Sequence, residues 1–359
     1  MKKIRLAILG QGRSGRDIHA SNLVKMGDIY EIAVIVDPME DRRERARKEF
    51  GCETLTDYRE LSGAYRRLDL VVNATPSHFH VPVSLDLMRR GLNVLCEKPL
   101  ARTAAEVDGL IRASKENNVL LAVFQQSRFS PLFVEMKRII DSGVLGRIIQ
   151  ISMQTNGFAR WWDWQTVQEN NAGSLYNTGP HSVDQALRLL DYDGMPDVKC
   201  YMGCVNTFGD AEDYVKLLIT APGKPVIDLE ISCCNAYPAY SVNIHAQYGG
   251  LKVDGDRIDY KYYSPAEAPE QKLTLTPIMK DDGTPAYCVE DLVMHEESWS
   301  LPPEHPELFE SNTISFYKML YNVLVNGGTL EITPEQVRQQ IAVMEEAHRQ
   351  NPLPVLVRS

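Results

Sequence analysis

Three glycines with the spacing Gly-x-Gly-x-x-Gly follow the apolar run Ile4–Leu9, and a second apolar run ends in Asp37. A strand, this loop, a helix and an acidic residue after the next strand are typical of dinucleotide binding, because the glycines let the backbone approach a pyrophosphate. Asp37 would accept hydrogen bonds from the adenosine ribose and repel a 2′-phosphate, which favours NAD over NADP, although nearby Arg42 weakens that preference. The predicted cofactor-binding residues here are Gly10, Gly12, Arg13, Ser14, Gly15, Asp37 and Arg42.

Polar residues also follow two later apolar runs, in the segments Asn73-Ala-Thr75-Pro76-Ser-His78-Phe-His80 and Cys96-Glu97-Lys98-Pro99. Open parallel sheets bind ligands at the carboxyl ends of their strands. Oxidation of an alcohol needs a group that takes the hydroxyl proton, and a lysine beside a positive nicotinamide has a lowered pKa that suits this task. We expect further cofactor contacts from Thr75, Pro76, His78, His80, Glu97, Lys98 and Gln126.

The second half contains Gly173-Ser-Leu-Tyr176-Asn177-Thr-Gly179-Pro-His181-Ser-Val-Asp184. On one helix Asn177 and His181 would share a face, since they are four residues apart. His181 can act as an acid or base, or it can be a buried structural histidine. Asp184 could orient the imidazole or could pair locally.

The densest aromatic cluster of the chain is Arg160-Trp161-Trp162-Asp163-Trp164. An indole can stack on the apolar face of a sugar ring while Arg or Asp binds its hydroxyls. Packing or a subunit contact explains such a cluster equally well. The predicted substrate-binding residues are Lys98, Arg160, Trp161, Trp162, Asn177 and His181, of which Lys98, Asn177 and His181 form the predicted catalytic set.

These residues need a parallel sheet to hold them, and the first 125 residues supply its pattern. Short continuous apolar runs alternate with amphipathic segments, which indicates a doubly wound α/β Rossmann domain over residues 1–125. The predicted strands are Ile4–Leu9, Glu31–Val36, Leu70–Asn73, Asn93–Cys96 and Leu120–Phe124, and the predicted helices include Arg42–Phe50, Val81–Arg90 and Ala104–Asn117.

The pattern changes in the second half, where apolar and polar residues alternate, as in Ile227, Leu229 and Ile231. This alternation predicts a C-terminal α+β domain over residues 126–359 with a large, mostly antiparallel sheet that is open on one face. Such a face favours a homo-dimer or homo-tetramer. We expect an extended excursion over Tyr263–Pro306 and a final helix over about 333–350, capped by Thr333.

The composition excludes several classes of partner. The 359 residues carry a net charge of −10, which gives no basic field for nucleic acid. No apolar run is long enough to span a bilayer, so we expect a soluble, cytoplasmic protein without membrane contact. The seven cysteines lack CxxC spacing, so we expect no metal site.

In this order and spacing, the glycine loop, the Glu97-Lys98-Pro99 segment and the 173–184 segment resemble the glucose-fructose oxidoreductase / inositol dehydrogenase / rhizopine-catabolism (Gfo/Idh/MocA) family. The resemblance implies a nicotinamide-dependent enzyme that acts on a sugar, cyclitol or related polyol. It also implies that Lys98 hydrogen-bonds the reacting hydroxyl and that His181 is its acid–base partner. The family usually has Asp where this chain has Asn177, and a neutral amide can bind a hydroxyl but cannot hold a proton.

The leading hypothesis is therefore an NAD-dependent oxidoreductase that transfers a hydride between a secondary hydroxyl of a sugar, glycoside or cyclitol and nicotinamide. One alternative is a glycoside-cleaving enzyme that uses a retained NAD for transient oxidation followed by elimination. A second alternative is a non-catalytic NAD-binding regulator.

Overall fold

The computed structural model of the protein describes residues 2–63, 67–303, 305 and 307–356. Its first half contains a six-stranded parallel sheet in the order β3-β2-β1-β4-β5-β6, which is the doubly wound arrangement expected from the sequence. The continuous apolar runs form these strands because both faces of the sheet are buried. The strands are β1 (Ile4–Leu9), β2 (Tyr30–Val36), β3 (Glu53–Leu55), β4 (Leu70–Asn73), β5 (Val94–Cys96) and β6 (Leu121–Val123).

Helices connect these strands on both sides of the sheet. The glycine loop leads into a π-helical segment, Arg13–Ala20, which continues as α1. Thr103 caps α4, where its side chain accepts from the backbone N–H of Glu106 and that glutamate bonds back to the Thr103 N–H. The helices are α1 (Ser21–Lys25), α2 (Glu40–Phe50), α3 (His80–Arg89), α4 (Ala104–Glu116) and α5 (Pro131–Asp141).

The second half contains an eight-stranded sheet in the order β14-β13-β12-β11-β7-β10-β9-β8. Its neighbours run antiparallel except for β7 and β10, which are parallel. The predicted mostly antiparallel sheet is confirmed. Its strands are β7 (Ile148–Asn156), β8 (Asp197–Gly203), β9 (Tyr214–Thr220), β10 (Val226–Ser232), β11 (Val242–Ala246), β12 (Gly249–Asp254), β13 (Arg257–Tyr263) and β14 (Met294–Ser300).

One face of this sheet is covered and the other is open. Ile227, Leu229 and Ile231 are buried, whereas the intervening Asp228 and Glu230 of β10 are partly exposed. The covered face packs against helices α7 (Gly179–Leu189) and α9 (Pro334–Gln350). The alternation seen in the sequence therefore separates a core face from a polar face.

The extended excursion expected over Tyr263–Pro306 includes one strand. Residues 294–300 form β14, which pairs with β13 at the edge of the sheet. Residues 264–293 are the extended portion, and Pro306 lies outside the described residues. The adjacent Glu296 and Glu297 of β14 are both exposed, so its apolar signal is weak.

The two C-terminal helices reach back to the first half. Helix α8 (Leu308–Asn326) packs against α1 and the π-helical segment, and α9 packs against α4 and β6. Thr333 caps α9 together with Gln336, as the sequence predicts.

Candidate active site

The three glycines have three different structural roles. Gly10 has φ of +90°, and a Cβ there would lie 2.5 Å from the carbonyl oxygen of Ala74. A Cβ at Gly15 would lie 1.9 Å from the carbonyl oxygen of Gly10, so this glycine permits the close packing of helix and strand. A Cβ at Gly12 would meet no atom of the described residues within 4 Å. The open space beside Gly12 fits a pyrophosphate group.

Asp37 closes the glycine loop from the end of β2. Its Oδ2 accepts from the backbone N–H of Gln11 at 2.7 Å, and its Oδ1 accepts from that of Met39 at 2.9 Å. The Nη1 of Arg42 lies 3.4 Å from Oδ2. The carboxylate is 2% exposed, so it lies in the wall of the loop rather than in open solvent.

Two buried glutamine oxygens provide a further test of whether a dinucleotide fits. The Oε1 atoms of Gln11 and Gln126 are buried and have no hydrogen-bond partner among the described residues. Buried polar groups normally have a partner, and a bound cofactor carries amide and hydroxyl donors that could supply one. Together with Gly12, these atoms fit an NAD-type cofactor. Of the other predicted loop residues, Arg13 is exposed and Ser14 is half-buried in the π-helical segment.

The four predicted residues after β4 are placed differently from one another. The Oγ1 of Thr75 donates to the Oδ1 of Asn73 at 2.7 Å. Pro76 and His78 are exposed, and the His78 ring packs on Phe79. His80 is buried, and its ring nitrogens lie 2.7 Å from the carbonyl oxygen of Pro99 and 2.8 Å from that of Thr75. His80 thus joins two turns and has no free ring nitrogen to offer a cofactor.

Lys98 reaches from the end of β5 to the second half of the chain. Its Nζ donates to the backbone carbonyl oxygen of Asn177 at 2.7 Å. Burial lowers the pKa of Lys98, the charge of Arg13 lowers it further, and the carboxylate of Glu97 opposes both effects. The neutral amine is therefore accessible at lower pH than for a lysine in water.

His181 lies at the start of α7, close enough to Lys98 for the charge of the lysine to act on the imidazole. Its Nδ1 lies 3.1 Å from the Oγ of Ser127. Burial and the nearby Lys98 lower the pKa of His181 to about 3, against an opposing effect of Glu97. The imidazole is therefore neutral at physiological pH.

Asn177 and His181 do not share one continuous helix. Helix α6 (Ser174–Asn177) ends at Asn177, and α7 begins two residues later, after Thr178. The Oδ1 of Asn177 accepts from the Nε2 of Gln165 at 3.3 Å, so its side chain contacts the aromatic loop. The backbone carbonyl, not the side chain, contacts Lys98.

Asp184 pairs locally and does not orient His181. Its Oδ2 accepts from the Nε of Arg128 at 3.0 Å, and its Oδ1 accepts from the hydroxyl of Tyr192 at 2.7 Å. Asp184 is completely buried. Of the two roles considered for this residue, the structure has the local ion pair, and Ser127 is the residue that contacts the imidazole.

The aromatic cluster lies on the loop that follows β7. The indole Nε1 of Trp161 donates to the Sγ of Cys233 at 3.3 Å, and that sulfur lies 3.9 Å from the Oγ of Ser174. Trp161 is thus near the start of α6, whereas Trp162 is 78% exposed. The guanidinium of Arg160 lies over the ring of Phe208 at 4.6 Å.

Sequence reasoning missed a buried contact behind Glu97. The Nε2 of His19 lies 3.1 Å from the Oε1 of Glu97, and its Nδ1 lies 2.6 Å from the hydroxyl oxygen of Tyr317. These partners are 78 and 298 residues apart in the chain. No local motif connects them, and the only sequence signal for His19 was its position shortly after the glycine loop. Ser127 and Gln165 were missed for the same reason.

The described residues contain neither a metal-binding cluster nor a membrane-spanning helix. No group of three or more His, Cys, Asp or Glu side chains there is placed to hold a metal ion. In the same part of the chain, no helix has the length and apolar character that crossing a membrane requires.

Several known proteins are similar to this chain. The scyllo-inositol 2-dehydrogenase (NADP⁺) of Bacillus subtilis is 33% identical over 54% of this chain and 52% of its own length. The 2,7-anhydro-N-acetylneuraminate hydratase of Mediterraneibacter gnavus is 26% identical over 71% of this chain and 68% of its own length. The WlbA dehydrogenase of Bordetella pertussis, solved with NADH and UDP-GlcNAcA, superimposes with a TM-score of 0.74 at 21% identity, over 97% of this chain and 95% of that one.

Two family models match the chain in succession. Residues 4–125 match the oxidoreductase family with the NAD-binding Rossmann fold, and residues 133–252 match the GFO/IDH/MocA C-terminal domain. Together these matches cover well over half of the 359 residues. The protein therefore belongs to the Gfo/Idh/MocA family of NAD-binding oxidoreductases.

Proposed function

We propose that this oxidoreductase uses NAD to oxidise one secondary hydroxyl of a sugar, glycoside or cyclitol, or to reduce the ketone in reverse. The observation that carries the proposal is the 2.7 Å contact of the Lys98 Nζ with the carbonyl of Asn177. This contact brings the lysine from the β5 end to the segment that contains His181. A proton acceptor and a neutral imidazole then lie at one site beside the glycine loop.

Lys98 is the better candidate for the base. Removal of the hydroxyl proton needs a group whose pKa lies near the working pH, and burial moves the pKa of Lys98 down toward that range. His181, with a pKa of about 3, is a poor proton acceptor. In this scheme the substrate O–H gives its proton to the neutral Nζ of Lys98, and His181 holds the substrate oxygen by a hydrogen bond. Bound nicotinamide would supply the hydride acceptor.

For the cofactor we propose NAD in preference to NADP. Asp37 lies where the adenosine ribose of a Rossmann cofactor would bind, and its charge disfavours a 2′-phosphate there. Arg42 is held to Asp37 at 3.4 Å, so part of its charge is already neutralised. Gly10, Gly12, Gly15 and Gln126 would hold the rest of the dinucleotide. Equal dissociation constants for NAD and NADP would contradict the assignment.

The second candidate function is glycoside cleavage with a retained NAD. It is supported by the similarity to the Mediterraneibacter gnavus hydratase. The same proton acceptor would serve both reactions, because each begins with oxidation of a hydroxyl. The two candidate reactions differ in whether NADH is formed overall. A dehydrogenase accumulates NADH, while an enzyme with a retained cofactor converts its substrate without net NADH.

The test is a panel of free sugars, glycosides and inositols incubated with the protein and NAD. NADH absorbance and substrate consumption are followed in parallel, and cofactor released from the purified protein is identified by mass spectrometry. NADH formed in proportion to substrate consumed supports the dehydrogenase. Substrate loss without NADH supports the second candidate, and NAD binding without turnover on any panel member favours a regulator.

A further inference from the structure

Three buried groups form a chain of hydrogen bonds behind Lys98. The hydroxyl of Tyr317 lies 2.6 Å from Nδ1 of His19, and Nε2 of His19 lies 3.1 Å from Oε1 of Glu97. The second oxygen of Glu97, Oε2, accepts from the backbone N–H of Lys98 at 3.0 Å. All three side chains are at most 5% exposed.

The direction of these hydrogen bonds follows from chemistry. A carboxylate only accepts, so Nε2 of His19 must carry the proton that it donates to Glu97. Nδ1 of a neutral imidazole then accepts, and the Tyr317 hydroxyl donates to it. Burial raises the pKa of Tyr317 far above its usual value, so this hydroxyl keeps its proton. Both side-chain donors, the Tyr317 hydroxyl and the His19 Nε2–H, therefore point toward Glu97.

A buried carboxylate costs free energy unless it is hydrogen-bonded and faces a positive charge. The proton-transfer scheme proposed above does not use Glu97, His19 or Tyr317. The cation next to Glu97 is Lys98. Oε2 of the carboxylate is bound to the backbone N–H of Lys98, the residue to which that scheme assigns the substrate proton.

We propose that His19 and Tyr317 are positioning residues that hold the Glu97 carboxylate as the fixed counter-charge of Lys98. Their role is to set the protonation of the Lys98 amine through Glu97, without touching substrate. The inference rests on the proposed function for the chemical role of Lys98. It adds to that function the residues that control the protonation of Lys98.

The charges around these two groups agree with the inference. Lys98 faces Glu97 on its own segment, Arg13 from the glycine loop, His80 from α3 and His181 from α7. Of these, Glu97 is the group that favours the ammonium form of Lys98. Burial alone would raise the pKa of Glu97, but the hydrogen bond from His19 and the charge of Lys98 hold it at about 2.

The experiment measures the amine of Lys98 directly and needs no substrate. Acetic anhydride reacts with the neutral amine and not with the ammonium, so the pH at which Lys98 is half-reactive, read by peptide mass spectrometry, reports its pKa. In Glu97→Gln this midpoint should fall by about one pH unit or more, because the attraction that favours the ammonium is lost. An unchanged midpoint in Glu97→Gln would overturn the inference.

Substitution of His19 tests whether this residue acts through Glu97. His19→Leu removes the donor that holds Oε1 of Glu97, so the carboxylate is no longer fixed near Lys98 and the Lys98 midpoint should also fall. The double variant His19→Leu/Glu97→Gln should match Glu97→Gln alone, because both act on one charge. Additive shifts in the double variant would contradict the proposed order.

A tyrosine pair decides the question if His19→Leu does not fold. Tyr317→Phe removes the hydroxyl that donates to Nδ1 of His19, so the imidazole loses one of its two hydrogen bonds, Glu97 is held less firmly and the midpoint should fall. Tyr30→Phe is the matched control, because Tyr30 is also buried and donates to the carbonyl of Tyr317 at 2.8 Å, without touching His19. Equal midpoints in the two variants would reject the role of Tyr317. A protein that shows the expected shifts but oxidises no polyol would refute the proposed function alone.

Discussion

At position 177 this chain has Asn where the family resemblance leads us to expect Asp. The backbone and the side chain of Asn177 have different partners. The backbone carbonyl binds Lys98, and the side chain binds Gln165. A substitution of the side chain therefore leaves the lysine contact available. The position can be used to change the charge of the site without removing the proton acceptor.

Replacement of Asn177 by Asp should raise the pKa of both His181 and Lys98, because a carboxylate favours the cationic form of each. Oxidation needs the unprotonated base, so the rising limb of kcat/KM against pH should move to higher pH and activity near neutrality should fall. Asn177→Ala removes a hydrogen bond without adding charge and should weaken substrate binding with little pH shift. Identical pH profiles for wild type and Asn177→Asp would place this side chain outside the electrostatic reach of the site.

Lys98→Ala should lower turnover by roughly 10²–10⁴-fold, the usual contribution of a positioned acid–base group. The dissociation constant for NAD, measured by calorimetry, should change little, because the pyrophosphate space lies at Gly12. A variant with the turnover of the wild type would remove Lys98 from the proton transfer.

The residues of the site differ in how far sequence could identify them. Lys98 and His181 stand in motifs of fixed spacing, and Lys98 reaches the segment that contains His181, at Asn177. Asp184 was ambiguous because spacing along a helix does not show that Arg128, 56 residues earlier, is its partner. His19 could not be assigned, since its hydroxyl partner comes from a distant helix.

Among the elements, the geometry of the glycine loop can be tested by substitutions at two of its glycines. Gly12→Ala should leave the melting temperature unchanged, because Gly12 has φ of −74° and free space beside it. The new methyl group should occupy the pyrophosphate space and weaken NAD binding about tenfold or more, which corresponds to about 1.4 kcal/mol.

Gly15→Ala should behave in the opposite way and lower the melting temperature. Its Cβ would lie 1.9 Å from the carbonyl oxygen of Gly10, so the backbone must move, at a cost of about 1–3 kcal/mol. Thermal denaturation of both variants, followed by calorimetry with NAD on the folded ones, makes the comparison. An unchanged melting temperature for Gly15→Ala would show that the loop relaxes without cost.

Elements with strong periodicity were predictable, and short or partner-dependent ones were not. Ile4–Leu9 is a buried apolar run and forms a strand with the predicted bounds. Strand β3 has only three residues, and β14 carries exposed glutamates, so both depend on pairing with a neighbour. The break between α6 and α7 was hidden because the segment reads as one helix.

At the scale of the whole molecule, α9 packs on α4 of the first half and is held to the second half by a partly buried pair. The Nε2 of His348 lies 3.4 Å from Oε2 of Glu212, and its ring stacks on Tyr176. Burial disfavours the charged ring, but Glu212 outweighs this effect and raises the pKa of His348 above 6.5. The pair therefore stabilises the fold fully below the unfolded pKa, and the contribution is lost as the pH rises through the folded one.

His348→Gln should lower the melting temperature more below pH 6.5 than well above it. Glutamine retains a hydrogen-bonding group but no charge, so the difference between the two conditions reports the ion pair. Differential scanning calorimetry of wild type and variant at both pH values measures it. A difference that does not depend on pH would mean that His348 is neutral in the folded protein.

We also expect two or four copies to associate through the open face of the C-terminal sheet. On this face Lys216 lies 2.5 Å from Asp228 and 3.3 Å from Glu230, beside Leu218 and Tyr201, which is 66% exposed. Leu218→Lys should shift the sedimentation coefficient toward the monomer, because it adds an unpaired charge there. Val134→Lys on α5 is the control, since Val134 is 55% exposed on another surface. A wild type that sediments as a monomer at micromolar concentration would contradict the expectation.

The contact of Tyr317 with His19 has a consequence for the order in which the chain is completed on the ribosome. The hydroxyl that His19 needs is 298 residues further along, so it emerges long after His19. Domains at the N-terminus generally begin to fold first during translation. Here the first half of the chain cannot form the buried His19–Tyr317 hydrogen bond until α8 has been synthesised. A product of interrupted translation would therefore leave the side of His19 that Tyr317 normally seals open to water.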